Sequence, residues 1–149
     1  MVATAVKATH FKVRTPLLKE GRLDTVLGEG DLMQVRIKCY AEGGENALHR
    51  HLEQDHTFVV LQGQARFHDE EGKATVLGRN EGILLPRGAL YKFESCGNEP
   101  LVLLRVAAYA GNRSTFDAAR VAPDGHALPG HSAENLHVDP VVIEGAFYE

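Results

Sequence analysis

The chain has 149 residues, 44% of them hydrophobic and 24% charged, a balance that suits a folded domain with a full core and excludes a disordered polyelectrolyte. Its net charge of −4, with no block of lysine or arginine, argues against a nucleic-acid partner, whose phosphates demand a concentrated basic surface. No apolar run nears the roughly 20 residues of a bilayer span, and the start MVATAVKATHFKV lacks the pattern of a signal peptide, so the expectation is a single cytoplasmic domain over 1–149 with no membrane partner.

Up to position 110 the pattern is that of strands. ATHFKVRT (8–15) alternates loosely and ends at Pro16, and RLDTVLG (22–28) stops at glycine. DLMQVRIKCY (31–40) alternates clearly, with Met33, Val35, Ile37 and Cys39 on one face and Gln34, Arg36, Lys38 and Tyr40 on the other. A Gly43–Gly44 turn follows, and then three histidines, His49, His51 and His56, within eight positions. TFVVLQG (57–63) and QARFHDE (64–70) read as a hairpin turning near Gln62–Gly63, and Glu71–Gly72 turns again into KATVLG (73–78). EGILLP (81–86), ALYKFESC (89–96) and EPLVLLRVAAYA (99–110) complete the series. Short strands at short intervals, split by Gly, Asn and Pro, predict an antiparallel all-β sandwich or barrel with its core over about 22–110.

The tail, about 111–149, changes character. STFDAARVA (114–122) has a short helix's start signal, with Ser114 or Thr115 as N-cap and Asp117 in the first turn. PDGHALPGHSAENLH (123–137) is a Pro- and Gly-rich loop, and DPVVIEGAFYE (139–149) reads as a final strand or arm that covers an edge or a neighbouring subunit. Cys39 and Cys96 have no CxxC partner and are expected as free thiols.

The histidines carry the chemistry. His49 and His51, at i and i+2 on a strand, point to the same face with Cα atoms roughly 6.5–7 Å apart. Two imidazoles so placed can converge on one ion. Glu53 would lie roughly 13 Å from His49 along the same strand, too far to join them. His56 is better placed if the chain bends at LEQD and returns in the next strand. His10, His68, His126, His131 and His137 have no partner at ligand spacing and are expected at the surface, as are Arg36, Lys38 and Arg105 on the outer faces of their strands and Glu53 and Asp55 in a solvated turn.

Over about residues 30–110 this pattern resembles the cupin family. The family's first motif is Gly, five residues, His, one, His, three or four, Glu, six, Gly; here it is Gly43, His49, His51, His56 and Gly63 at those spacings, with His56 in the glutamate place. The second motif is Gly, five residues, Pro, one, Gly, two, His, three, Asn; here Pro86 and Gly88 match, while Asn80, Tyr91 and Ser95 depart from it. The resemblance implies an antiparallel jelly-roll β-barrel, followed here by a short helical and loop C-terminal extension. It also implies one divalent transition metal per chain on His49, His51 and His56, with Tyr91 beside an open position as acid, base or weak ligand. Three imidazoles with open positions suit Fe(II) and O₂ chemistry and would equally hold Mn, Ni, Cu or Zn. Without a carboxylate ligand the site favours an anionic or chelating small-molecule substrate. The expected function is therefore a metal-dependent, dioxygenase-like oxidoreductase acting on a small organic acid or diketone. The alternatives are a non-redox metal-dependent lyase, isomerase or decarboxylase, and a small-molecule binding module without turnover. A homodimer is expected from the apolar arm and from the family.

Overall fold

The computed structural model describes residues 5–41, 46–110 and 119–149, and among these every regular element is a strand. In chain order they are β1 (Thr15–Glu20), β2 (Arg22–Glu29), β3 (Met33–Tyr40), β4 (Arg50–His51), β5 (Gln54–Gln62), β6 (Ala65–His68), β7 (Ala74–Leu77), β8 (Gly82–Leu85), β9 (Lys92–Ser95), β10 (Leu101–Tyr109), β11 (Arg120–Val121) and β12 (Val141–Tyr148). No helix among the described residues is long and apolar enough to cross a membrane.

Two sheets enclose the inner core. One has five strands in the order β2-β3-β10-β5-β8, and the other has three, β7-β6-β9. The latter is extended by an isolated bridge between His49 and Tyr91, which leads into the β4–β11 pair. Tyr40, Phe58, Val60, Leu101 and Leu103 of the first sheet pack against Ala65, Phe67, Leu77 and Phe93 of the second. The fold is the all-β jelly roll expected, but its sheets stay open and do not join into one hydrogen-bonded cylinder.

A second core lies on the outer side of the five-stranded sheet. The β1–β12 ribbon covers that face, and Leu18 packs there with Ile37, Cys39, Ala41 and Val102. Strands β3 and β10 are therefore buried on both faces around Ile37, Cys39 and Val102, while Met33 and Ala108 toward the other end of the pair are exposed. The face of Met33, Val35, Ile37 and Cys39 looks outward to the ribbon, and the polar face of β3 looks into the interior.

Three expectations need correction. The 57–70 stretch is not a hairpin: β5 already has β10 and β8 on its two edges, so β6 pairs instead with β7 and β9. The chain crosses between sheets at Gly63, whose φ is +77° and whose missing Cβ would stand 2.9 Å from the Pro100 carbonyl oxygen. The first strand begins at Thr15 rather than ending there. Pro16 is tolerated inside β1 because that strand has a single partner, and a residue without an N–H fits where one edge is unpaired. Arg120–Val121, at the end of the expected helix, forms β11 against β4; Ser114, Thr115 and Asp117 lie outside the described residues, as does the Gly43–Gly44 turn. The arm 139–149 pairs as β12 with β1 of its own chain. Both cysteines are free, and burial pushes the Cys39 thiol up to about 11.

Replacing Gly63 by alanine adds a backbone clash to the left-handed penalty, whereas Gly72, at φ +82°, has open space around it. Gly72→Ala should cost only the conformational term of about 1–2 kcal/mol, and Gly63→Ala clearly more. Urea midpoints of the two variants check this, and equal losses would count against a close crossing at Gly63.

Candidate active site

Between the sheets lies a cavity of about 240 Å³. The bend expected at LEQD is present: β4 ends at His51, β5 starts at Gln54, and His56 returns beside His51 with ring centroids 4.5 Å apart. The His49 and His51 rings are 5.1 Å apart. Tyr91 stands directly opposite His49 in an antiparallel bridge, with His49 N donating to Tyr91 O at 3.0 Å and Tyr91 N to His49 O at 2.9 Å. Its ring lies 4.4 Å from that of His49 and is backed by Phe58, Phe67 and Phe93. The structure thus brings His49, His51, His56 and Tyr91 together, all four at most 5% exposed.

The turn that aims Tyr91 is fixed from the histidine strand. Gly88, at φ +90°, donates its N–H to His51 O at 2.9 Å, and Asp55 Oδ1 accepts from Arg87 N at 2.7 Å. Asp55 is thus more than a solvated turn residue. Asn80, which stands where the motif has glycine, holds φ at 68°, a conformation asparagine accepts better than most residues.

The charge of the cavity departs from expectation. Arg36, Lys38 and Arg105 were expected to point outward, and all three line the cavity together with Arg22 and Arg120. Among the described lining residues these five cations meet one carboxylate, Asp24. Asp24 bridges Arg36 at 3.0 Å and Lys38 at 3.1 Å. Burial alone would raise its carboxyl, but the two cations outweigh it and hold the group at about 2. Burial brings Lys38 down to about 8 against the pull of Asp24. His131 and His137, expected at the surface, also border the cavity.

Hydrogen bonds fix which ring nitrogens carry protons. Arg105 Nη2 donates to Gln54 Oε1 at 2.7 Å and to His56 Nδ1 at 2.9 Å. A guanidinium cannot accept, so His56 Nδ1 is the acceptor and its proton is on Nε2. With its oxygen held by Arg105, Gln54 turns its amide nitrogen to His51 Nδ1 at 3.3 Å. His51 then carries its proton on Nε2, which faces Tyr91 Oη at 3.3 Å. His49 is the reverse case: Nδ1–H donates to Ala47 O at 2.7 Å and leaves Nε2 as the bare nitrogen. Burial, then the surrounding cations, hold all three imidazoles well below their usual range, so they are neutral at pH 7. Burial also pushes the Tyr91 phenol up, so it keeps its proton.

These tautomers test the metal expectation. An imidazole that binds an ion through Nε2 needs that nitrogen bare, with Nδ1–H donated elsewhere. His49 meets this condition; His51 and His56 do not while Arg105 and Gln54 hold their Nδ1 atoms. Among the described residues, no three His, Cys, Asp or Glu side chains are arranged to hold a metal ion. The arrangement therefore does not fit a three-histidine centre. It offers the cavity one basic nitrogen on His49, the Tyr91 phenol backed by His51, and a cationic wall.

Gln54, Arg120 and Asn135 were not singled out from the sequence. Arg105 left a readable trace: it interrupts a strand that is otherwise apolar on both faces, and a cation there has no outer surface to reach. Arg120 and Asn135 left none, because the tail's path cannot be read from loop composition.

Residues 36–107 match the family model described as Cupin domain. A mannose-1-phosphate guanylyltransferase of Sinorhizobium fredii is 29% identical over 102 residues, covering 67% of this chain and 19% of that protein, so the chain spans about a fifth of that relative's length. Among solved structures, a Klebsiella pneumoniae protein with a double-stranded β-helix domain aligns with TM-score 0.57 and 24% identity, over 62% of this chain and 75% of that one. The DMSP lyase DddQ of Ruegeria pomeroyi aligns with TM-score 0.56 and 20% identity, over 69% and 52%. At such identities the structural likeness speaks for the fold alone.

The three buried imidazoles have a measurable consequence. As pH falls through 6.5, the unfolded chain takes up protons that the folded one refuses, and each histidine should remove up to about 1.4 kcal/mol of stability per pH unit. Urea midpoints should therefore drop steeply between about pH 6.5 and 5, and less steeply in His51→Asn. A flat profile in the parent chain would contradict the neutral, buried state.

Proposed function

The chain carries a domain of the cupin family over residues 36–107, and from that premise we propose that it takes a small organic anion into the cavity and moves a proton on it. The reaction class is isomerase- or lyase-type acid–base chemistry at a carbon next to a carboxylate or carbonyl. His49 Nε2 is the base, and Tyr91, whose Oη accepts from His51 Nε2–H, is the donor that stabilises the enolate-like charge. The observation that carries this reading is the Arg105 fork, which leaves His49 as the one bare imidazole nitrogen among three histidines.

The electrostatics support the same division of roles. Burial first, and then the Arg120, Lys38 and Arg105 charges, weaken His49 as a base. A bound anion offsets that field and strengthens the base when substrate is present. Tyr91, neutral and packed on His49, can give its proton to the developing oxyanion and take it back.

The rival reading is the metal-dependent, dioxygenase-like reaction implied by the motif. The clustering of three imidazole rings favours it. It requires Arg105 to release His56, and Gln54 to release His51, before three bare nitrogens face one ion.

Two measurements separate the readings. Protein purified without a metal-affinity tag should contain well under one equivalent of transition metal by mass spectrometry. In D₂O, a panel of small oxo and hydroxy acids followed by proton NMR should reveal exchange next to the carboxylate. That exchange should fall by about 10²-fold or more in His49→Gln and by a smaller factor in Tyr91→Phe. One equivalent of iron, lost in His51→Ala and coupled to O₂ uptake, would establish the rival instead.

A further inference from the structure

Part of the cavity wall comes from chain outside residues 36–107: Arg22, Leu23 and Asp24 from β2 and, from the tail, a group that includes Arg120 and Asn135. Arg120 is the informative member. It lies in β11, paired with His51 of β4, and its side chain turns inward to 6% exposure. Nη1 donates to the Leu128 carbonyl and Nη2 to Asn135 Oδ1 at 2.9 Å. Both acceptors are neutral, and among the described residues no carboxylate pairs with this guanidinium. These two bonds use two of its five N–H donors, and its charge is buried without an opposite charge, an arrangement that is costly unless a counter-ion arrives.

Asn135 ties this cation to the acid–base end. The residue is 2% exposed; its Oδ1 accepts from Arg120 and also from Ala47 N at 3.1 Å, while Nδ2 donates to Gly130 O at 2.9 Å. The carbonyl of Ala47 is the one that accepts His49 Nδ1–H. One side-chain amide thus joins the buried guanidinium to Ala47, the residue whose carbonyl orients the base. The tail is clamped in place by Arg22, whose Nη2 donates to Gly130 O at 3.0 Å and to Asn135 O at 2.9 Å.

We propose that Arg120, carried by the tail segment 120–137, is the residue that recognises the ligand's anionic group, a carboxylate or phosphate held in an ion pair at the cavity wall beside His51. The inference rests on the reading of the cavity as an anion site and adds which residue selects the ligand. Arg120 brings a bidentate fork suited to either oxyanion. The Asn135–Ala47 link then places the bound group in fixed relation to His49.

The test uses the full chain and isothermal titration calorimetry with malonate and with inorganic phosphate. Asn135→Asp puts a carboxylate of nearly the same shape against Arg120 and so supplies the missing counter-charge from within the protein. Affinity should fall at least tenfold in protein that is folded by circular dichroism, the new ion pair with Arg120 standing against the lost Nδ2–H bond to Gly130 O. Arg120→Gln should show the same loss of binding; if it does not fold by circular dichroism, Asn135→Asp alone decides. Binding of malonate only supports a carboxylic acid ligand, and binding of phosphate only supports a phosphate ester. A folded Asn135→Asp protein with parental affinity overturns the role of Arg120 and leaves the anionic cavity standing. A parental protein that binds neither probe overturns the anionic reading and this inference together.

Discussion

A guanidinium buried in a strand that is apolar on both faces must direct its donors inward, and Arg105 directs them at Gln54 and His56. The rest of the site follows from that contact. It sets the Gln54 amide, which sets His51; it makes His56 a donor; and it leaves His49, held by a backbone carbonyl, as the ring with a free lone pair. The three imidazoles are alike in sequence and unlike in role, and the difference is made by their partners: Arg105 on the neighbouring strand β10, the Gln54 amide and the Ala47 carbonyl. The β5–β10 register, which pairs Arg105 with Phe58 and Ala107 with His56, puts the guanidinium within reach.

The cavity can hold so many cations because the middle of the five-stranded sheet packs its apolar residues on the outer side. Apolar residues of β3 and β10 pack beneath the β1–β12 ribbon, so the opposite face is free to be polar. One carboxylate, Asp24, anchors Arg36 and Lys38 in fixed positions, which limits their freedom to swing into solvent. Positive charge is thereby fixed on the walls while the catalytic candidates stay neutral. A wall of that kind favours ligands that bring their own negative charge and disfavours a bare divalent cation.

Much of this was legible in the chain. The alternation of 31–40, the strand rhythm to position 110 and the first-motif spacing lead to a jelly roll with His49, His51 and His56 side by side. The Pro86–Gly88 match locates Tyr91. What could not be read is which polar residues face inward. Alternation separates the two faces of β3 but does not say that both are buried, and so Arg36 and Lys38 were assigned to solvent. The 57–70 stretch has the local signals of a hairpin, and only the occupied edges of β5 forbid it. The tail contributes Arg120 and Asn135 through contacts that span the whole fold, and no local pattern marks them.

The ribbon that seals the outer core joins Thr15 to Tyr148, positions separated by about 130 residues of chain. During synthesis β1 therefore emerges long before its partner, with Leu18 and the outward apolar face of β3 still uncovered. Folding of this molecule is tied to the late arrival of β12, a high-contact-order step that comes after the inner core has all its strands. Until that strand docks, the nascent protein presents an unpaired β-edge beside exposed aliphatic residues, which is the kind of surface that chaperones hold and that concentrated expression turns into aggregate.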